Sequence, residues 1–200
     1  MSYLFVALSY LIGSINFAYL VAKYKKLDIS SSGSGNPGTS NVMRTIGKKY
    51  AAIVLIGDVF KGFIPIFLFD ENLLLCGFAA VIGHIYPIFY KFKGGKGVAT
   101  YIGVYIAFST LNPISYDLFE NSYLLFLNIP VLAIFYFVVF KISRISAIAS
   151  LLTVFISNLI LFISFNVFQD RFIVFLLFWL IVFKHSENFK RLNEGRENKF

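Results

Sequence analysis

Charge is scarce in this sequence: Asp, Glu, Lys and Arg together supply 14% of its 200 residues, against about a quarter in an ordinary soluble domain. Cysteine occurs once, at Cys76 inside an apolar run, which excludes an intramolecular disulfide and leaves packing as its use. Histidine occurs twice, at His84 and His185, with no cysteine cluster and no HExxH pattern. A zinc site therefore lacks ligands, and no metal or other cofactor is expected. The GxSxG elbow of serine hydrolases, the GxxxxGK[ST] loop of nucleotide hydrolases and a glycosidase-like carboxylate pair are all missing, and each missing pattern removes its chemistry. Repeats of solenoid period and low-complexity tails are missing too. The N-terminal Met1-Ser2-Tyr3-Leu4 enters an apolar stretch without a basic segment, so a cleaved signal peptide is not expected.

What the chain has in excess is apolar length. Hydrophobic residues make up 58% of it, beyond the roughly 45–50% of soluble domains, which marks an integral membrane protein. Runs long enough to span a bilayer, or nearly so, fall at 3–22, 50–69, 73–90, 98–114, 122–140, 146–165 and 172–184. The expected fold class is an all-α integral membrane protein of about seven transmembrane helices at roughly 20 residues each, forming one polytopic domain over residues 1–200. The 25 Phe and 12 Tyr read as lipid-facing and interfacial side chains.

Charge sets the topology. With the N-terminus outside, 16 of the 18 Lys and Arg fall in the inner segments 23–49, 91–96, 141–144 and the tail from 184, leaving Lys61 in a helix and Arg171 outside. The opposite loops carry Asp70, Glu71, Asp117, Glu120 and Asp170. This bias places the C-terminus in the cytoplasm. It also accounts for most of the net charge of +8, so the bilayer is the expected partner and nucleic acid is not. The same topology puts four polar segments at the cytoplasmic side, where one composite site is expected.

The first of those segments is Gly33-Ser34-Gly35-Asn36-Pro37-Gly38-Thr39-Ser40-Asn41-Val42-Met43-Arg44. Its glycines leave backbone N–H groups open to an anion, its hydroxyls and amides add donors, and Arg44 adds a charged fork suited to phosphate. The second, Lys91-Phe92-Lys93-Gly94-Gly95-Lys96-Gly97, repeats the pattern with Lys96 as point charge ahead of a helix N-terminus. Two anion cradles imply two anionic groups to hold. Asp58 and Lys61 lie three apart on one helix face and read as a structural intramembrane pair, since neither charge is tolerated alone at that depth. His84, in Gly83-His84-Ile85-Tyr86-Pro87, reads as hydrogen-bonded packing. His185-Ser186-Glu187-Asn188 opens a polar tail that fits a short helix stopped at Gly195, with His185 and Asn188 on one face.

These residues resemble the bacterial acyl-phosphate:glycerol-3-phosphate acyltransferases (PlsY family). The three motifs of that family are matched in order by Ser34 through Arg44, by Gly83-His84 through Tyr86-Pro87 to Lys93-Gly94-Gly95-Lys96-Gly97-Val98-Ala99-Thr100, and by His185 through Asn188 and Arg191-Leu192 to Gly195-Arg196-Glu197. The resemblance covers nearly the full length. It implies transfer of a fatty acyl group from acyl phosphate to the 1-hydroxyl of sn-glycerol 3-phosphate, without acyl-CoA, in a bacterial inner membrane with the active site facing the cytoplasm. It assigns catalytic roles to Ser34, Arg44, His185 and Asn188. It gives glycerol 3-phosphate binding to Gly94, Gly95, Lys96 and Gly97 and a phosphate contact to Ser146, and the donor chemistry of the first segment adds Gly33, Gly35, Asn36 and Asn41 as phosphate-binding residues.

The chemistry of the residues agrees. Acyl phosphate is already an activated anhydride, so positioning and charge neutralisation supply most of the rate and no covalent enzyme nucleophile is required. Either His185 or an oxygen of the leaving phosphate takes the hydroxyl proton, and Ser34 as covalent nucleophile is a weaker alternative. A small membrane transporter of an organic anion or phosphate is the rival reading that the basic loops and the Asp58/Lys61 pair would also suit, although paired broken helices of inverted repeats are not evident. A CDP-alcohol phosphotransferase would need clustered aspartates that are missing.

Overall fold

A computed structural model describes residues 2–111 and 123–200 of the chain. Asp117 and Glu120, the end of the 98–114 run and residue 122 lie outside the described residues. The described elements are helical: α1 Ser2–Gly13, α2 Phe17–Tyr24, α3 Thr39–Thr45, α4 Lys48–Leu68, α5 Leu73–Ile85, a single 3₁₀ turn Ile88–Tyr90, α6 Val98–Thr110, α7 Tyr123–Ser143, α8 Ser146–Ser164, α9 Phe168–Lys184 and α10 Ser186–Asn193.

Four apolar stretches among the described residues are long enough to cross a membrane: Tyr3–Tyr24, Lys48–Leu68, Leu73–Tyr90 and Ser146–Ser164. A fifth arises if α9 and α10, bent by 47° at His185, count as one span. The helix expected over 3–22 is two helices. Ser14, Ile15 and Asn16 interrupt it: the Ser14 hydroxyl donates to the Tyr10 carbonyl (2.8 Å), and Asn16 Oδ1 caps α2 by accepting from the Tyr19 N–H (3.1 Å). Short polar side chains compete with the helix ladder in this way, and apolar composition alone does not register it. The 98–114 run is helical only over the 13 residues of α6 within its described part, about 20 Å of rise against a hydrocarbon core of about 30 Å. The 172–184 run starts earlier, at Phe168.

The chain divides into two compact units, Met1–Val104 and Tyr105–Phe200. In the first, α1 packs on α5 and α4, and α2 and α3 pack on α4. Contacts are close because small residues sit where backbones meet. A Cβ on Gly13 would fall 2.1 Å from the Ala80 carbonyl oxygen, and one on Gly62 would fall 1.9 Å from that of Thr100. Close approach of this kind replaces the hydrophobic driving force that helices lack in lipid. A separate apolar cluster of Ala18, Val21, Ala22, Ile29, Val42, Ala51 and Val54 ties α2, α3, α4 and the loop between α2 and α3 together. In the second unit α7 packs on α8, α8 on α9, and α9 meets α10. There the buried Asn158 amide donates to the Val174 carbonyl (3.0 Å), joining α8 to α9.

Candidate functional site

The loop from α2 to α3 is built from two buried anchors. Ile29, fully buried, plugs into the apolar cluster. Beside it Asp28 organises the serines: its carboxylate accepts from the Ser30 N–H (2.9 Å) and hydroxyl (2.6 Å), and its carbonyl accepts from the Ser32 hydroxyl (2.7 Å). The Ser30 hydroxyl bond, then the Ser30 N–H, hold the Asp28 carboxyl below its ordinary value. The second anchor is Asn41, 1% exposed. Its Oδ1 accepts from the Ser34 N–H (2.9 Å), while its Nδ2 donates to the carbonyls of Ser32 (2.9 Å) and, more weakly, Ile29 (3.4 Å).

Between these anchors Gly33 (φ +59°) and Gly35 (φ +70°) take left-handed conformations that disfavour a side chain. A Cβ on Gly33 would also fall 2.2 Å from Asn41 Oδ1. Gly33, Ser34 and Asn41 are thus brought together, with Asn41 as the brace behind the loop. Ser34 and Asn36 are half-buried. Gly38 opens α3, whose last turn carries the half-buried Arg44.

Because Asn41 serves three backbone groups at once, the isosteric change Asn41→Asp keeps the Ser34 bond and turns the other two into oxygen facing oxygen. The expected loss is about 1–3 kcal/mol of stability with about a hundredfold fall in turnover as the repelled Ser32 carbonyl moves away and displaces the loop that carries Ser34. Thermal unfolding in detergent and initial rates check it. Unchanged melting with activity within twofold would contradict the bracing role.

The second glycine loop is seated on His84. The Gly95 N–H donates to the His84 carbonyl (3.2 Å). A Cβ on Gly94 would fall 2.0 Å from that same oxygen, and a Cβ on Gly95 would fall 2.2 Å from the ring nitrogen Nε2. Gly97 turns the chain into α6 at φ +89°. Lys96 between them is half-buried. Upstream, Tyr90 stacks on Tyr19 with centroids 4.7 Å apart, and Tyr10 donates its hydroxyl to the Tyr86 carbonyl (2.8 Å). Both loops are therefore fastened to α2, one through the apolar cluster and one through the Tyr19 ring.

Asp58 and Lys61 form the expected pair in α4, with Lys61 Nζ 2.8 Å from Asp58 Oδ1 and side chains 2% and 1% exposed. Two further contacts extend it. Lys61 Nζ donates to the Ile15 carbonyl at the break between α1 and α2 (2.7 Å), and His84 Nδ1 lies 3.5 Å from Asp58 Oδ1.

In the second unit Ser146 begins α8 after Arg144, which turns the chain at φ +58°. His185 closes α9, and its Nδ1–H donates to the Ile181 carbonyl (2.7 Å). That bond assigns the neutral ring its tautomer and leaves Nε2 as the basic nitrogen. Asn188, on the next turn, donates its amide to Glu197 Oε1 (3.0 Å), while Arg191 Nε donates to Glu197 Oε2 (2.9 Å). Gly195 (φ +66°) makes the reversal that brings Glu197 back along α10. Sequence reasoning assigned no role to Asp28 or Glu197. The run Asp28-Ile29-Ser30-Ser31-Ser32 is an Asx and Ser turn signature that locates the first, and only the position of Glu197 in the third motif points to the second. Among the described residues no three His, Cys, Asp or Glu side chains cluster as metal ligands.

A family model described as glycerol-3-phosphate acyltransferase matches residues 3–195. A protein of that description from Aquifex aeolicus is 39% identical over 202 residues, covering 98% of this chain and 97% of its own. Another from Ruthia magnifica is 37% identical over 199 residues, covering 96% and 93%. Among solved structures, a crystal structure of PlsY, an integral membrane glycerol 3-phosphate acyltransferase in its glycerol 3-phosphate form, aligns with a TM-score of 0.84 at 34% identity. It covers all of this chain and 95% of that one. The lysophosphatidic acid form of the same protein aligns with a TM-score of 0.81.

Proposed function

This chain belongs to the glycerol-3-phosphate acyltransferase family, and from that premise we propose that it transfers a fatty acyl group from acyl phosphate to the 1-hydroxyl of sn-glycerol 3-phosphate. The products are 1-acylglycerol 3-phosphate and inorganic phosphate. The chain is a multi-pass helical membrane protein. In this reading it crosses a bacterial inner membrane seven times, with the N-terminus outside and the site facing the cytoplasm. The bias of 16 of its 18 basic residues to the inner segments supports that orientation.

The observation that carries the reading is the way the two glycine loops are made. Each is braced by a buried side chain, Asn41 for one and His84 for the other, at positions where a Cβ does not fit. Loops so held keep their N–H groups oriented before substrate arrives, and preorganised donors are what stabilise charge developing in a transition state. Gly33, Ser34, Gly35, Asn36 and Arg44 then serve one phosphate-bearing substrate, and Gly94, Gly95, Lys96 and Gly97 the phosphate of glycerol 3-phosphate. Asn41 contributes by holding the first loop, and Ser146 adds a phosphate contact.

The hydroxyl oxygen attacks the acyl carbonyl carbon. The bond from that carbon to the phosphate oxygen breaks, and inorganic phosphate leaves with the electron pair while Arg44 and Lys96 neutralise its charge. The hydroxyl proton passes to His185 Nε2 or to an oxygen of the departing phosphate. Asn188, held by Glu197, supports this step.

Purified protein given acyl phosphate and glycerol 3-phosphate is expected to release phosphate and lysophosphatidate in equal amounts, and acyl-CoA in place of acyl phosphate is expected to give neither. Equal rates from the two donors would overturn the donor assignment. Running the same assay on His185→Gln across pH separates the two proton acceptors, because near-normal turnover with an unchanged profile removes His185 as the base.

A further inference from the structure

We propose that His84 is a positioning residue for glycerol 3-phosphate, held in place by the buried Asp58–Lys61 pair and acting through the Gly94–Gly95 backbone. The inference rests on the reading that the loop at Gly94–Gly97 seats the phosphate of that substrate.

Three contacts form a continuous chain in the first unit. The Ile15 carbonyl accepts from Lys61 Nζ at 2.7 Å, Lys61 meets Asp58 Oδ1 at 2.8 Å, and the same Asp58 oxygen lies 3.5 Å from His84 Nδ1. On its far side His84 touches the loop twice: its carbonyl accepts from the Gly95 N–H, and its ring Nε2 occupies the space a Cβ of Gly95 would need. His84 is 3% exposed and Asp58 1%. A buried ion pair is a poor way to gain stability, since apolar residues of the same volume do as well or better. A pair whose carboxylate also faces the imidazole beneath the loop has a second use, because it fixes the ring on which the loop rests. Gly95 is glycine, on this account, because of the ring behind it and not only because of the anion in front.

The two origins of the Gly95 requirement separate by experiment. Gly95→Ala is expected to raise KM for glycerol 3-phosphate about tenfold with kcat changed far less, and His84→Ala to raise it by a similar factor. In the double variant the added methyl enters the space the ring has left, so the combined effect is expected to be no larger than that of the worse single change. A double effect equal to the product of the singles would overturn the proposal. Asp58→Leu with Lys61→Met removes both charges at nearly constant volume and gives a second measurement that does not depend on His84 variants folding. It is expected to raise KM for glycerol 3-phosphate several-fold with kcat within about twofold and KM for acyl phosphate unmoved. If Gly95→Ala raises KM while His84→Ala and the Asp58/Lys61 double variant leave it within twofold, the positioning role fails and the phosphate seat stands. If Gly95→Ala itself leaves KM unchanged, the reading of the loop as the phosphate seat fails and the proposal falls with it.

Discussion

Arg44→Lys is expected to lower kcat/KM by a factor of about 10²–10³ while leaving the melting temperature nearly unchanged. Both halves of that expectation follow from where Arg44 sits. It occupies the last turn of α3, with Asn41 and Val42 of the same helix buried beneath it. A cation at a helix C-terminus is favourable, and lysine satisfies that preference as well as arginine does. The stem of either side chain covers similar apolar surface. What lysine lacks is the planar fork: five donors in fixed geometry that grip two phosphate oxygens at once, against a single strongly hydrated point charge. If Arg44 neutralises the leaving phosphate, the loss appears in kcat, and Arg44→Ala deepens it further. A lysine variant within fivefold of the parent would show that Arg44 supplies general positive potential and not a bidentate grip.

Arg44 stands out in the sequence, because an arginine closing a glycine-rich polar run has few other uses in a chain so poor in charge. Much of the fold was legible for the same reason. Helix follows from apolar length when the backbone has no water to bond. Finer features were spelled in the chain but masked by that apolar signal. Gly13-Ser14-Ile15-Asn16 is a helix stop followed by a cap, yet it sits inside 22 residues apolar enough to read as one span. The reason for each glycine was not legible at all. Gly33 and Gly35 need positive φ, whereas Gly94 and Gly95 need the absence of a Cβ against His84. Those causes lie in tertiary contacts across the chain, and a one-dimensional pattern shows only that glycine is there. Asn41 shows the same limit: its amide suggests a phosphate donor, and the structure spends it on the backbone of its own loop.

The largest effect on stability is expected from separating Asp58 and Lys61. Asp58→Ala leaves the Lys61 ammonium, 2% exposed, with the Ile15 carbonyl and without its counter-charge. Removing one partner of a buried ion pair costs about 3–5 kcal/mol, and a protein whose total margin is about 5–15 kcal/mol loses a large part of it. Yield and thermal unfolding of the detergent-solubilised variant should fall together. Lys61→Met is expected to be destabilising as well, since it leaves the Asp58 carboxylate buried without its counter-charge. Replacing both residues by Leu and Met should return stability to within about 1–2 kcal/mol of the parent, since the desolvation of two charges is no longer incurred. The double variant is the test of the desolvation account: if it is as unstable as Asp58→Ala, the pair stabilises the helix contacts of α4 by its own energy.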